Sequence, residues 1–189
     1  MLKYEARKTY REKRDALPAA ERAKLDDLLL IQFQKADLPF LHTILSYHPI
    51  EENSEPNSNL VTSFLEFRNP ALHIAYPKIN SNAGTMQAVL TDADTAFEKG
   101  AYNVFEPISN HNLPPDAFDL VIVPLIICDM EGFRVGYGKG FYDKYLSRCR
   151  PDCIKAGFSY FEPIDELTDK DEFDVPLDLC ITPQNIYVF

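Results

Sequence analysis

Apolar positions along this chain recur with two spacings, one helical and one extended, and the two alternate. Leu2, Ala6 and Tyr10 share a stripe at about 100° per residue with the later Leu17, which predicts a helix over residues 3–16. Beside that stripe Lys3, Arg7, Arg11 and Arg14 form a basic ridge, either a solvated face or a row of cations with an anion lying across it. Leu17-Pro18 ends the helix, and Ala19 to Ala36 predicts a second one with Leu25, Leu28, Leu29 and Phe33 facing inward.

From there short β-rich runs alternate with helical ones. Strands are predicted at 43–47, 72–76 (ended by Pro77), 86–90, 154–159 and 179–182. Helices or helical turns are predicted at 59–68, 92–99 and 163–167, with a further helix starting at Phe141. Residues 119–128, Asp-Leu-Val-Ile-Val-Pro-Leu-Ile-Ile-Cys, are nearly continuous apolar sequence, as in a central parallel strand covered on both faces. Alternating βα units predict an α/β fold, a three-layer αβα domain with a mostly parallel central sheet. Ligands bind outside the carboxyl ends of such strands, where loops 47–58, 77–85 and 128–143 would fall.

Composition narrows the class. A chain of 189 residues fits one domain, 1–189, and 46% apolar with 25% charged residues is ordinary globular usage. No window nears the ~18 apolar residues of a membrane span, and Met1-Leu-Lys-Tyr-Glu-Ala-Arg-Lys is too charged for a signal peptide. The reading is a cytoplasmic protein without a membrane partner, monomeric or weakly dimeric. The cysteines at 128, 149, 153 and 180 complete no zinc pattern, and the four histidines have no catalytic companion in sequence.

The net charge of −10 argues against nucleic acid as a partner. Its distribution says more. Residues 1–24 hold eight bases and four acids, a balance of +4; the other 165 hold eleven bases and twenty-five acids, a balance of −14. Charges beyond about 8 Å are largely screened in physiological salt, so an anion ligand requires cations gathered in one place.

The second such place is Arg134-Val-Gly136-Tyr137-Gly138-Lys139-Gly140-Phe141-Tyr142-Asp143. Alternating glycines let a ligand approach backbone N–H groups, and Arg134 and Lys139 add fixed charge. Asp143 beside them suits a Mg²⁺ carboxylate. A glycine-rich turn with solvated charges would carry the same glycines; the preceding strand and the Arg, Lys and Asp together favour a polyphosphate cradle. It is not a Walker A loop, because Lys139 is followed by Gly140, nor a dinucleotide fingerprint, which needs glycine where Phe141 stands.

Taken together these residues resemble the 5-formyltetrahydrofolate cyclo-ligase family over nearly the whole chain. The most specific match is Asp129-x-x-Gly132-x-Arg134-x-Gly136-x-Gly138-x-Gly140-Phe-Tyr142-Asp143. Lys3-x-x-x-Arg7, Leu17-x-x-x-Glu21-Arg22, Glu51-x-Asn53-Ser54, Tyr76-Pro77-Lys78 with Met86, Glu106-Pro107 and Leu177-Asp178 support it in order. The resemblance implies the fold shared with phosphosugar isomerases and CoA transferases, and ATP- and Mg²⁺-dependent closure of 5-formyltetrahydrofolate to 5,10-methenyltetrahydrofolate. It implies Lys3, Arg7, Arg134, Gly136, Gly138, Lys139, Gly140, Phe141 and Tyr142 around ATP, with Lys139 and Arg134 acting on the transferring group. It assigns Arg7, Ser46, Glu51 and Tyr137 to the reduced folate, Asp143 to Mg²⁺, and Asp178 either to the metal or to the start of a strand. Tyr137 stands where some relatives carry Arg, and Asn53-Ser54 where Asp-Thr is usual. Two other classes stay open on sequence alone: an isomerase or transferase acting on a phosphosugar or CoA, and a non-catalytic nucleotide- or folate-binding protein.

Overall fold

Leu120–Val123 alternates between two cores: Leu120 and Ile122 pack on one side of the sheet, Val121 and Val123 on the other, all four fully buried. That is the pattern of a strand covered on both faces. The computed structural model describes all 189 residues. Helices Lys3–Asp15 (α1) and Ala19–Phe33 (α2) precede strand Thr43–Leu45 (β1), helix Ser58–Arg68 (α3) and strands His73–Asn80 (β2) and Thr85–Thr91 (β3). A hairpin of Phe97–Lys99 (β4) and Phe105–Pro107 (β5) comes next, then Asn112–Leu113 (β6) and Leu120–Val123 (β7). A second hairpin, Ile127–Cys128 (β8) with Arg134–Val135 (β9), leads into helix Phe141–Leu146 (α4). Ile154–Phe158 (β10), Leu179–Ile181 (β11) and Ile186–Val188 (β12) finish the sheet.

The main sheet has eight strands in the order β12-β11-β10-β7-β1-β2-β3-β6. The five from β11 to β2 run parallel, and β12, β3 and β6 are antiparallel additions at the edges. On one face Leu29 and Phe33 of α2 and Val61 and Leu65 of α3 bury against Ile44, Ile122 and Phe158. On the other, Tyr145 and Leu146 of α4 bury against Leu45, Ala75 and Val121. The expected three layers are present. A smaller cluster, Ala6, Ile127, Val135 and Leu167, holds α1 on the β8–β9 hairpin. No helix is long and apolar enough to cross a membrane.

Five expectations are corrected. β2 does not end at Pro77 but runs through it to Asn80, pairing Pro77 with Ala88, and Leu28 of α2 is exposed rather than inward-facing. Residues 119–128 do not form one strand: β7 ends at Val123, because Pro124 has no N–H for the ladder, and the chain then turns to pair Ile127 with Val135. Residues 92–99 yield no helix; Phe97–Lys99 pairs antiparallel with Phe105–Pro107, and Phe97 sets its ring edge-on to Tyr76. Residues 163–167 form no helical turn: Ile164 bridges to Asp129, and Leu167 donates its N–H to Asp129 Oδ2 at 3.1 Å.

Candidate active site

The carboxyl ends of β1, β2 and β7, the N-terminal half of α1 and the glycine loop enclose a cavity of about 520 Å³, within the usual size of organic-ligand sites. One half of it is cationic. The i, i+4 spacing of α1 brings Lys3, Arg7 and Arg11 into its wall. Each is held: Lys3 Nζ pairs with Asp174, Arg7 Nε donates to the Gly136 carbonyl at 2.8 Å, and Arg11 donates to Asn53 Oδ1 at 3.0 Å. Arg14 completes the ridge in sequence but turns into the interior, where it is 2% exposed. The start of α1 is fixed by the Lys3 N–H donating to Asp169 Oδ1 at 2.7 Å and by the terminal amine donating to the Glu166 carbonyl at 2.9 Å.

The glycine loop supplies the facing wall. Buried Asp129 shapes its lead-in: Oδ1 accepts the N–H groups of Glu131 and Phe133 at 3.0 and 2.9 Å. Gly138 and Gly140 have φ of +78° and +68°, angles that cost an L side chain about 1–2 kcal/mol. Arg134 anchors the loop from beneath: its guanidinium donates to the Val175 carbonyl and, at 2.9 Å, to Asp143 Oδ1. The Val175 N–H donates to the same Oδ1 at 3.1 Å, leaving Oδ2 without a hydrogen bond in the chain. Lys139 is exposed; its ammonium lies over the Tyr102 ring, 5.1 Å from the centroid, and that ring leans on Phe141. The following helix, α4, has only six residues. The cations, rather than a long helix dipole, supply the positive potential here.

The other half is aromatic and apolar, formed by Tyr47, His48, Ile79, Met86, Tyr102 and Val104. His48 stacks on Tyr76 with centroids 4.3 Å apart and planes 5° apart, and burial holds its pKa below the usual imidazole value. One carboxylate stands in this wall, Glu55, 8% exposed. Its Oε2 accepts the Ile50 N–H at 2.7 Å and its Oε1 accepts the Tyr137 hydroxyl. Burial pushes the Glu55 pKa up, against the opposing pull of those two donors and of Arg14. The Tyr142 hydroxyl, also at the cavity, is buried without a partner.

Of the sequence-predicted residues, Lys3, Arg7, Arg134, Gly136, Tyr137, Gly138, Lys139, Gly140, Phe141, Tyr142 and Asp143 all line this one cavity. Three do not. Ser46 is fully buried behind it, bonded to Thr62 Oγ1 at 2.8 Å. Glu51 is exposed in the short turn Glu51–Asn53, and the carboxylate facing the cavity is Glu55 instead. Glu55 follows Ser54, which is in the left-handed region, and Pro56 disfavours helical backbone at Glu55, so the turn ends there. Asp178 starts β11 at the opposite end of the parallel sheet, where its Oδ2 accepts the Lys155 N–H and ammonium, both at 2.7 Å. The acid that reaches the cavity is Asp174, four residues earlier. Tyr47, His48, Glu55, Tyr102 and Asp174 are among the lining residues that sequence reasoning missed.

Residues 2–183 match the family model described as the 5-formyltetrahydrofolate cyclo-ligase family. A 5-formyltetrahydrofolate cyclo-ligase of Mycoplasma pneumoniae is 31% identical over 97% of this chain and 100% of its own length. Among solved structures, the 5,10-methenyltetrahydrofolate synthetase of Aquifex aeolicus superposes with a TM-score of 0.80 at 28% identity, over 100% of this chain and 93% of that one. A 5,10-methenyltetrahydrofolate synthetase from Mycoplasma pneumoniae gives 0.75 at 27% identity, over 96% and 98%. With the family match spanning nearly the whole length and the glycine loop, the basic helix and the buried carboxylate meeting in one cavity, the chain belongs to the 5-formyltetrahydrofolate cyclo-ligase family.

Proposed function

We propose that this protein closes 5-formyltetrahydrofolate to 5,10-methenyltetrahydrofolate at the expense of ATP, in the presence of Mg²⁺. The observation that carries the reading is one cavity lined by two sets of residues, cations with glycines, and aromatic side chains with a single buried carboxylate. A nucleotide triphosphate suits the first and a reduced pterin the second.

The chemistry explains why both must share a cavity. The N5-formyl group is an amide, and its oxygen is a poor leaving group. Attack of that oxygen on the γ-phosphorus breaks the bond to ADP and forms a phosphorylated imidate; N10 then attacks the carbon, gives up its proton to the departing phosphate or to water, and phosphate leaves with the oxygen. No side chain need act as nucleophile; the protein positions the reactants and offsets charge. Lys3, Arg7 and Lys139 supply cations to the phosphates, and the Gly138–Gly140 backbone allows them to approach its amides. Arg134 orients Asp143 rather than meeting the nucleotide first, since its guanidinium is already engaged. Glu55 accepts hydrogen bonds from pterin N–H donors, the role expected of Glu51 from sequence.

The donor set also fits Mg²⁺. Asp143 Oδ2 and Asp174 Oδ1 are carboxylate oxygens without partners in the chain, on residues joined through Val175, and Mg²⁺ is commonly held by one or two carboxylates plus phosphates. Bound there, Mg²⁺ would neutralise charge on the β- and γ-phosphates. The direct test is the near-UV absorbance of the methenyl product. A rise requiring protein, ATP and Mg²⁺ together is expected; no rise with all three present overturns the proposal.

A further inference from the structure

Arg14 is a buried arginine without an acid of its own. It is 2% exposed, its Nε has no hydrogen-bond partner, and its Nη1 donates to the Leu125 carbonyl at 3.1 Å. A charge taken out of water and left unpaired is costly. Its remaining contact is the informative one: Nη2 donates to the Tyr137 hydroxyl at 2.8 Å. A phenol oxygen that accepts from a guanidinium has a single proton to give, and here it goes to Glu55 Oε1. The direction of the chain is therefore fixed: Arg14 to Tyr137, Tyr137 to Glu55. With Oε2 accepting the Ile50 N–H, both oxygens of Glu55 are oriented. The other titratable groups facing this carboxylate are Tyr47, from the loop after β1, and Tyr142, from α4. Neither brings a positive charge, so Arg14 is the cation that balances Glu55.

We propose that Arg14 is a positioning residue for the cavity carboxylate: acting through the Tyr137 hydroxyl, it keeps Glu55 ionised and aimed into the aromatic half without touching substrate. The chemistry accounts for Tyr at position 137, where a cation in the cavity would pair with Glu55 directly and compete with the ligand for its oxygens. Burial alone favours the protonated acid, which could no longer accept at both oxygens. The relay opposes that preference from behind the wall. This inference rests on the reading of Glu55 as the folate-binding carboxylate.

Carbon-13 NMR of the full chain labelled at glutamate carboxyls, without ligands, tests it; the Glu55 resonance is the one lost in Glu55→Gln. In Arg14→Met and in Tyr137→Phe the Glu55 titration midpoint is expected to move up by about one pH unit, as loss of an opposite charge or of a donor to the anion requires. The acid limb of kcat/KM for the folate should move with it. An unmoved midpoint in both variants overturns the relay even if activity falls, because a mere anchor of α1 would lower activity without touching Glu55. Should Arg14→Met fail to fold, Tyr137→Phe decides, since it keeps the ring and removes only the hydroxyl. A Glu55→Gln protein with unchanged KM for the folate would sink the substrate role of Glu55, while the NMR result still decides the relay.

Discussion

Arg134 and Asp143 stand at the two ends of the glycine loop, and Arg134 Nη2 lies 2.9 Å from Asp143 Oδ1. The pair works as a clasp: it fixes the span of the loop, and through the Val175 carbonyl it ties the loop to the segment carrying Asp174. The arginine side chain is 5% exposed, so the pair is shielded from solvent on that side.

Replacing Arg134 with Met should therefore damage stability as well as activity. Removing one partner of a buried pair typically costs about 3–5 kcal/mol; with Asp143 partly open to solvent, the lower end is expected. Denaturant unfolding measures it, and activity assays across Mg²⁺ concentration should show a raised requirement because Asp143 loses its orientation. A stability loss within experimental error would mean that the loop is held elsewhere.

Lys139 makes the opposite prediction. It is exposed, forms no ion pair and lies over the Tyr102 ring, so Lys139→Ala should leave stability within about 0.5 kcal/mol. Turnover should fall by about 10²–10³, the usual loss when a group that offsets transition-state charge is deleted. Near-normal kcat would remove Lys139 from the chemistry.

These two residues also show what was legible in sequence. The loop was readable because its function is local: glycines, cations and an acid within ten residues must lie together whatever the fold. The parallel strands were readable because Leu120–Val123 is apolar on both faces. What failed was non-local. Glu55 and Glu51 both lie in the 47–58 loop, and only the turn before Pro56 decides which carboxylate faces the cavity. Asp174 sits in a run of acids, Asp169, Asp171, Glu172 and Asp174, that reads as a solvated stretch. The β4–β5 hairpin, which brings Tyr102 over Lys139, is fixed by packing against Tyr76 and His48 rather than by its own periodicity.

His48 gives a pH signature. Burial lowers its pKa below the ordinary value, so the folded protein holds the neutral ring where the unfolded chain already binds a proton. Between the unfolded pKa, about 6.5, and the lower folded value, the unfolded state carries more protons and stability falls as pH drops. Urea midpoints at pH 7.5 and 5.5 should show this loss in the wild type and a smaller one in His48→Phe, which can retain the stack on Tyr76 without titrating. Equal pH dependence in the two proteins would mean that His48 is not the source.

The two C-terminal aspartates separate metal from scaffold. Asp174 lies in the cavity wall, paired with Lys3 and receiving the Asp171 N–H at 2.6 Å through one oxygen, with the other free. Asp174→Asn should raise the Mg²⁺ concentration for half-maximal activity about tenfold or more, the scale of losing one charged ligand of a cation site. Asp178→Asn should leave that titration unchanged, because its carboxylate binds Lys155 at the far end of the sheet. Its effect belongs to stability instead, on the order of 1 kcal/mol for a half-exposed ion pair with one backbone hydrogen bond. If Asp178→Asn shifted the Mg²⁺ titration and Asp174→Asn did not, the metal assignment here would be reversed, and the free oxygens of Asp143 and Asp174 would have to serve Lys3 and the nucleotide alone.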